Sequence, residues 1–114
     1  MSFRSMRTLE SWVDEFVELG YEFSGQVRVV PQDGADDANT GLVVVSVADP
    51  ATVITIQPES RDALRWMVTL EPREVAASLP SPQVLNFAAE LSVVAALCAF
   101  LQAKSQGFAG PDVP

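Results

Sequence analysis

The segment Phe87–Leu101, FAAELSVVAALCAFL, carries one charge in fifteen residues, and an apolar helix of that length has to be covered by something. Placing residues 100° apart sorts its side chains by size. Phe87, Leu91, Val93, Val94, Leu97, Cys98, Phe100 and Leu101 fall on one half, and Ala88, Ala89, Ser92, Ala95, Ala96, Ala99 and Ala103 on the other. Ser81-Pro82 is a start signal, with serine as N-cap and proline at the first helical position, and Gly107 lies beyond the end. A helix is therefore expected from about Pro82 to Ser105. A spanning helix needs about 20 apolar residues. The uncharged run from Leu91 to Ala103 is thirteen residues long and ends at Lys104, so no membrane partner is expected.

What the bulky half covers is suggested upstream. In Leu64–Leu70, LRWMVTL, the residues Leu64, Trp66, Val68 and Leu70 alternate with Arg65, Met67, Thr69 and Glu71, the period of a strand with one buried face. LVVVSV, Leu42–Val47, is a continuous β-branched run suited to a central strand, and Val53–Gln57 reads as a shorter one. The links at Asp49–Thr52 and Pro58–Asp62 are too short for parallel crossovers, so the strands should form antiparallel hairpins. Tyr21–Val30 reads as one strand or two short ones with a bend at Gly25. Arg73–Ser78, between Pro72 and Pro80, has room for a turn or two of helix.

Before these strands, Leu9, Trp12, Val13, Phe16 and Leu19 recur at three- and four-residue spacing, with Glu10, Asp14, Glu15 and Glu18 mostly opposite. This is a half-buried helix from about Thr8, capped by Ser5 or Thr8 and stopped by Gly20. The expected fold class is α+β. A three- or four-stranded antiparallel sheet carries the N-terminal helix and the long C-terminal helix on its Trp66 face. Residues 1–106 make one domain, and 107–114 are expected to be a flexible tail.

Composition narrows the function. Fifteen acidic against seven basic residues give a net charge of −8, which opposes attraction to phosphate, so neither nucleic acid nor an anionic membrane surface is an expected partner. Cys98 is the single cysteine, which excludes an internal disulfide and fits a reducing, cytoplasmic setting. The segment MSFRSMRTLESW meets Glu10 before an apolar stretch can form and does not read as a secretory signal.

Motifs for chemistry are missing. The chain has no histidine, which removes the commonest general base and metal ligand, and no catalytic residue, cofactor or metal site is expected. The aspartates of PQDGADDANTG, Pro31–Gly41, lack the ligand spacing of an EF-hand loop. No glycine-rich stretch has phosphate-binding spacing. Glu59, Arg61, Asp62 and Arg65 read as a surface salt-bridge patch. Cys98, on the bulky half, reads as a small core hydrophobe. Glu90 falls near that half, either as a partly exposed carboxylate or, with Trp66, as part of a pocket between sheet and long helix.

The small half of the long helix leaves three readings open. It is a solvent-exposed alanine face, a seat for the N-terminal helix, or an interface with a second copy formed by Ala88, Ser92, Ala95, Ala96, Ala99 and Ala103. A resemblance bears on this. LESWVDEFVELGYEF, then strands, VITIQPESRDALRWMVTL and the helix with VLNFAAEL, resemble the helix, meander, helix order of YbjN-like domains, which share the fold of type III secretion chaperones. The resemblance implies an acidic, dimer-forming helper or adaptor; further strands usual in those domains after the helix are not found here. Residues and resemblance together lead to the expectation of a small non-enzymatic protein-interaction or chaperone-like adaptor domain. It would be homodimeric, with a further protein partner. A binding module for a small apolar ligand is the alternative.

Overall fold

The structure, a computed structural model, describes residues 5–21, 23, 25–31, 41–48, 50–59, 65–73 and 76–107. The elements are α1 (Met6–Glu18), β1 (Gln26–Pro31), β2 (Gly41–Ala48), β3 (Ala51–Pro58), β4 (Trp66–Leu70) and α2 (Ser81–Gln106), an α+β arrangement. The strands pair with their sequence neighbours in the order β1-β2-β3-β4, all antiparallel.

Alternation along each strand sorts the sheet into two faces. Register aligns Val27, Val45, Ile54 and Leu70 in one row and Val29, Val43, Ile56 and Val68 in the next. Both helices lie on this face. Leu9, Trp12, Val13 and Phe16 of α1, and Val94, Leu97 and Leu101 of α2, join Val43, Val45, Val47, Ile54, Ile56 and Trp66 in one buried cluster. The opposite face carries Arg28, Val44, Thr55 and Thr69 in its middle row, and Val53 and Met67 are exposed there.

Local chemistry explains the boundaries. Of the two candidate caps, Ser5 is the one used, its hydroxyl accepting the Thr8 N–H at 3.2 Å, so α1 starts at Met6. After Leu19 the chain turns through Gly20 at φ +105°, a conformation open to glycine. Leu19, expected on the buried stripe, is exposed because it sits past the last helical turn. Tyr21 and Phe23 lie outside the strand, which begins at Gln26. Tyr21 stacks on Phe16 at 4.3 Å and Phe23 lies 6.2 Å from the same ring, so aromatic contact with α1 holds this segment instead of a ladder.

β3 is longer than its apolar run and reaches Ala51, paired with Ala48 across Asp49-Pro50. The Thr52 hydroxyl donates to the Pro50 carbonyl at 2.8 Å and accepts from Arg73, tying the chain after β4 back to this turn. β4 begins at Trp66; Leu64, expected at its start, lies outside the described residues, as do the aspartates of 32–40 and the expected tail beyond Gly107. Leu70 faces the core side yet is half exposed, because it ends an edge strand. Arg73 and Ala76–Ser78 are not helical. So short a segment gains little from nucleating a helix, and Pro80 biases the residue before it toward extended backbone.

α2 starts one residue earlier than the serine-cap reading. The Pro80 carbonyl accepts from Gln83 at 3.0 Å and Val84 at 3.1 Å, so Pro80 is the cap and Ser81 the first helical residue. Gln102 then fixes α2 to the sheet edge, its Oε1 accepting the Trp66 backbone N–H at 2.9 Å. α1 and α2 meet through Phe16 and Phe100, 5.5 Å between ring centroids, and through Lys104 to Glu15 at 3.0 Å.

Candidate functional site

Length mismatch determines how much of α2 is covered. A helix of 26 residues is about 39 Å long, whereas a five-residue strand reaches about 17 Å. Since α2 packs mainly along β4 and α1, a large part of it has little beneath it among the described residues. Five of its residues are buried: Glu90, Val94, Leu97, Leu101 and Ser105. Phe87, Leu91, Val93, Cys98 and Phe100 are half-buried against the core, as befits the flanks of the bulky half.

The small half points outward. Ala88, Ser92, Ala95, Ala99 and Ala103 are exposed, whereas Ala96 turns to the flank and is partly buried against the core. α1 does not cover this face, so the intrachain reading is set aside. Two residues not anticipated from the sequence extend it. Val84 is 50% and Leu85 71% exposed, and Leu85 precedes Ser92 and Ala99 at seven-residue intervals on the same side. The available signal was their apolar character just ahead of Phe87.

The outward face is also electrically neutral. Glu90 and Lys104 are the residues of α2 that carry charge at neutral pH; the first is buried, and the second is half-buried and paired with Glu15. Ser92 folds its hydroxyl back onto the Ala88 carbonyl at 3.1 Å, so even this polar residue presents little unmet hydrogen bonding. By length and composition α2 could cross a membrane. In the folded chain, however, its buried stripe closes the core over Ile54, Ile56 and Trp66.

The suggested pocket pair is not brought together. Trp66 and Glu90 are both buried, at 4% and 7% exposure, but the Trp66 amide is held by Gln102, about 18 Å along the helix from Glu90. Glu90 lies on the buried stripe with Val94 and Leu97, where it keeps an interaction partner, and is not the partly exposed carboxylate of the simpler reading. The Trp66 indole N–H meets no acceptor among the described residues. Burial raises the Cys98 thiol above its ordinary pKa, which disfavours the reactive thiolate.

Elsewhere exposed apolar side chains, among them Val17, Leu19, Val53, Met67 and Leu70, stand beside polar and charged ones. Glu10, Asp14, Glu15 and Glu18 are exposed on α1, where with Arg7 and Ser11 they line an open depression. Arg65 pairs with Glu59 at 3.7 Å on the surface; Arg61 and Asp62 lie outside the described residues. Among the described residues no three histidine, cysteine, aspartate or glutamate side chains gather as metal ligands would. Compared with known protein families, curated proteins and solved structures, the chain matches none.

Proposed function

We propose that this chain is a small acidic, non-enzymatic protein-interaction module, an adaptor or chaperone-like domain whose contact surface includes the outward face of α2. The observation that carries the reading is that only five residues of a 26-residue apolar helix are buried. Apolar surface of that extent, neutral and continuous, favours contact with another protein over water. A chain without histidine and with a half-buried, poorly ionised thiol supports a binding role over a catalytic one.

The test is retention from native cell extract by the tagged full chain, with Ala95→Glu as the comparison and mass spectrometry as the readout. A protein held in stoichiometric amount by the wild type and lost by Ala95→Glu supports the reading, whether it is a different protein or an untagged copy. Equal retention by both forms, or a retained small molecule with no protein, would refute it.

A further inference from the structure

Resting on that reading of α2, we infer that its outward face is occupied by a second copy of the same helix, packed antiparallel about a two-fold axis passing near Ser92 and Ala95. Charge argues for this occupant. The chain has a net charge of −8, and α1 presents four exposed acids, so most approaches of two copies bring carboxylates together. Along the outward face of α2 no charge stands between Ser81 and Gln106. A like copy meets no repulsion there, and a strongly charged partner would find nothing to pair with.

Shape sets the direction. The outward stripe is large at its start, with Leu85 71% exposed, and small thereafter through Ala88, Ser92, Ala95, Ala99 and Ala103. Antiparallel pairing centred between Ser92 and Ala95 places each Leu85 over the alanines at 99 and 103 of the other copy, a knob against a hollow. Parallel pairing would set leucine against leucine and hold the alanines apart. The antiparallel arrangement also brings opposite ends of the two helix dipoles together.

Area sets the strength. A contact about 39 Å long and roughly 10 Å wide takes about 400 Å² from each copy, against the roughly 800 Å² per partner of a standard stable interface. Val84 adds to the flank. At about 800 Å² in total the contact falls below the range of stable specific interfaces, so the dimer is a weak one whose population should rise with concentration across the micromolar to millimolar range.

Sedimentation velocity of the full chain from about 1 μM to about 1 mM tests it, with far-UV circular dichroism as the check on folding. The wild type should shift from monomer to dimer, and Ala95→Glu should weaken the association by about 100-fold or more, because each copy would bury an unpaired carboxylate. Leu85→Ala and Ala103→Leu should each weaken it, and the two together should recover much of the loss by moving the knob to the other end. A wild type that is monomeric throughout, or a dimer indifferent to Ala95→Glu, overturns the inference; failure of the paired exchange to recover overturns the antiparallel register. If the wild type is monomeric while Ala95→Glu still loses a different protein from extract, the second copy is wrong and the interaction reading stands. A monomeric chain that retains nothing removes both.

Discussion

Trp66→Phe removes an indole N–H that is buried without an acceptor among the described residues and leaves an aromatic ring in its place. Three contributions decide the outcome. The smaller ring leaves a void of about 40 Å³, which at roughly 24 cal/mol per Å³ costs about 1 kcal/mol. Roughly 20 Å² less apolar burial costs about a further 0.5 kcal/mol. Against these, an orphaned buried donor costs about 1–3 kcal/mol, and the substitution abolishes it. The variant should therefore lie between about 0.5 kcal/mol less stable and about 1.5 kcal/mol more stable than wild type. Trp12→Phe is the control. Trp12 is similarly buried but carries no orphaned buried donor among the described residues, so the same exchange relieves nothing and should cost about 1.5 kcal/mol or more. Urea unfolding followed by far-UV circular dichroism measures both. A Trp66→Phe loss above about 2 kcal/mol, or one as large as at Trp12, would show that the indole N–H is bonded.

Two glycines should respond differently to alanine. At Gly25 a Cβ would sit 1.7 Å from the Ser46 carbonyl oxygen and 2.8 Å from its carbon, so Gly25→Ala must part β1 from β2 and should cost more than about 3 kcal/mol in the same unfolding experiment. Gly20 has open space around it and only its φ of +105° against it, so Gly20→Ala should cost about 1 kcal/mol. Cys98 should be alkylated far more slowly in the folded chain than in urea at pH 8. Since the folded thiol holds its proton more tightly than the unfolded one, this stability is intact at neutral pH and is lost as the pH climbs through the raised folded value. Lys104→Ala should cost at most about 1 kcal/mol, with the loss shrinking in high salt, because the partly exposed pair with Glu15 is screened.

The parts of the fold legible in the sequence were those where one periodicity acted alone. Leu9 to Phe16 marked the buried stripe of α1, and the alternation through Trp66 marked the core face of β4. The size split of α2 correctly turned Val94, Leu97 and Leu101 inward, since bulky side chains gain most from burial. What the pattern could not supply was placement in three dimensions. Nothing in LRWMVTL states which turns of the longer helix rest on β4 or that β4 lies at the sheet edge, and so neither the exposure of Val84 and Leu85 nor that of Leu70 on a core-facing position was legible. Ala96 shows the same gap, because its place on the flank depends on how α2 rolls on β4. Trp66 and Glu90 shared a half of the fold on paper, but the rise along α2 separates them.

The meander joins each strand to its sequence neighbour, while Glu15 and Lys104, which link the two helices, are 89 residues apart. Hairpins close short loops at small entropic cost, whereas docking the helices closes nearly the whole chain. Sheet pairing should thus be largely formed in the folding transition state and α2 docking should come after it. In stopped-flow experiments, Val45→Ala would then mainly slow folding, and Leu97→Ala would mainly speed unfolding. Equal division of both effects between the two rates would argue against this order. With the barrier ahead of it, α2 is the element whose contacts govern how long a folded molecule survives before it opens, so whatever binds the helix also sets the lifetime of the fold.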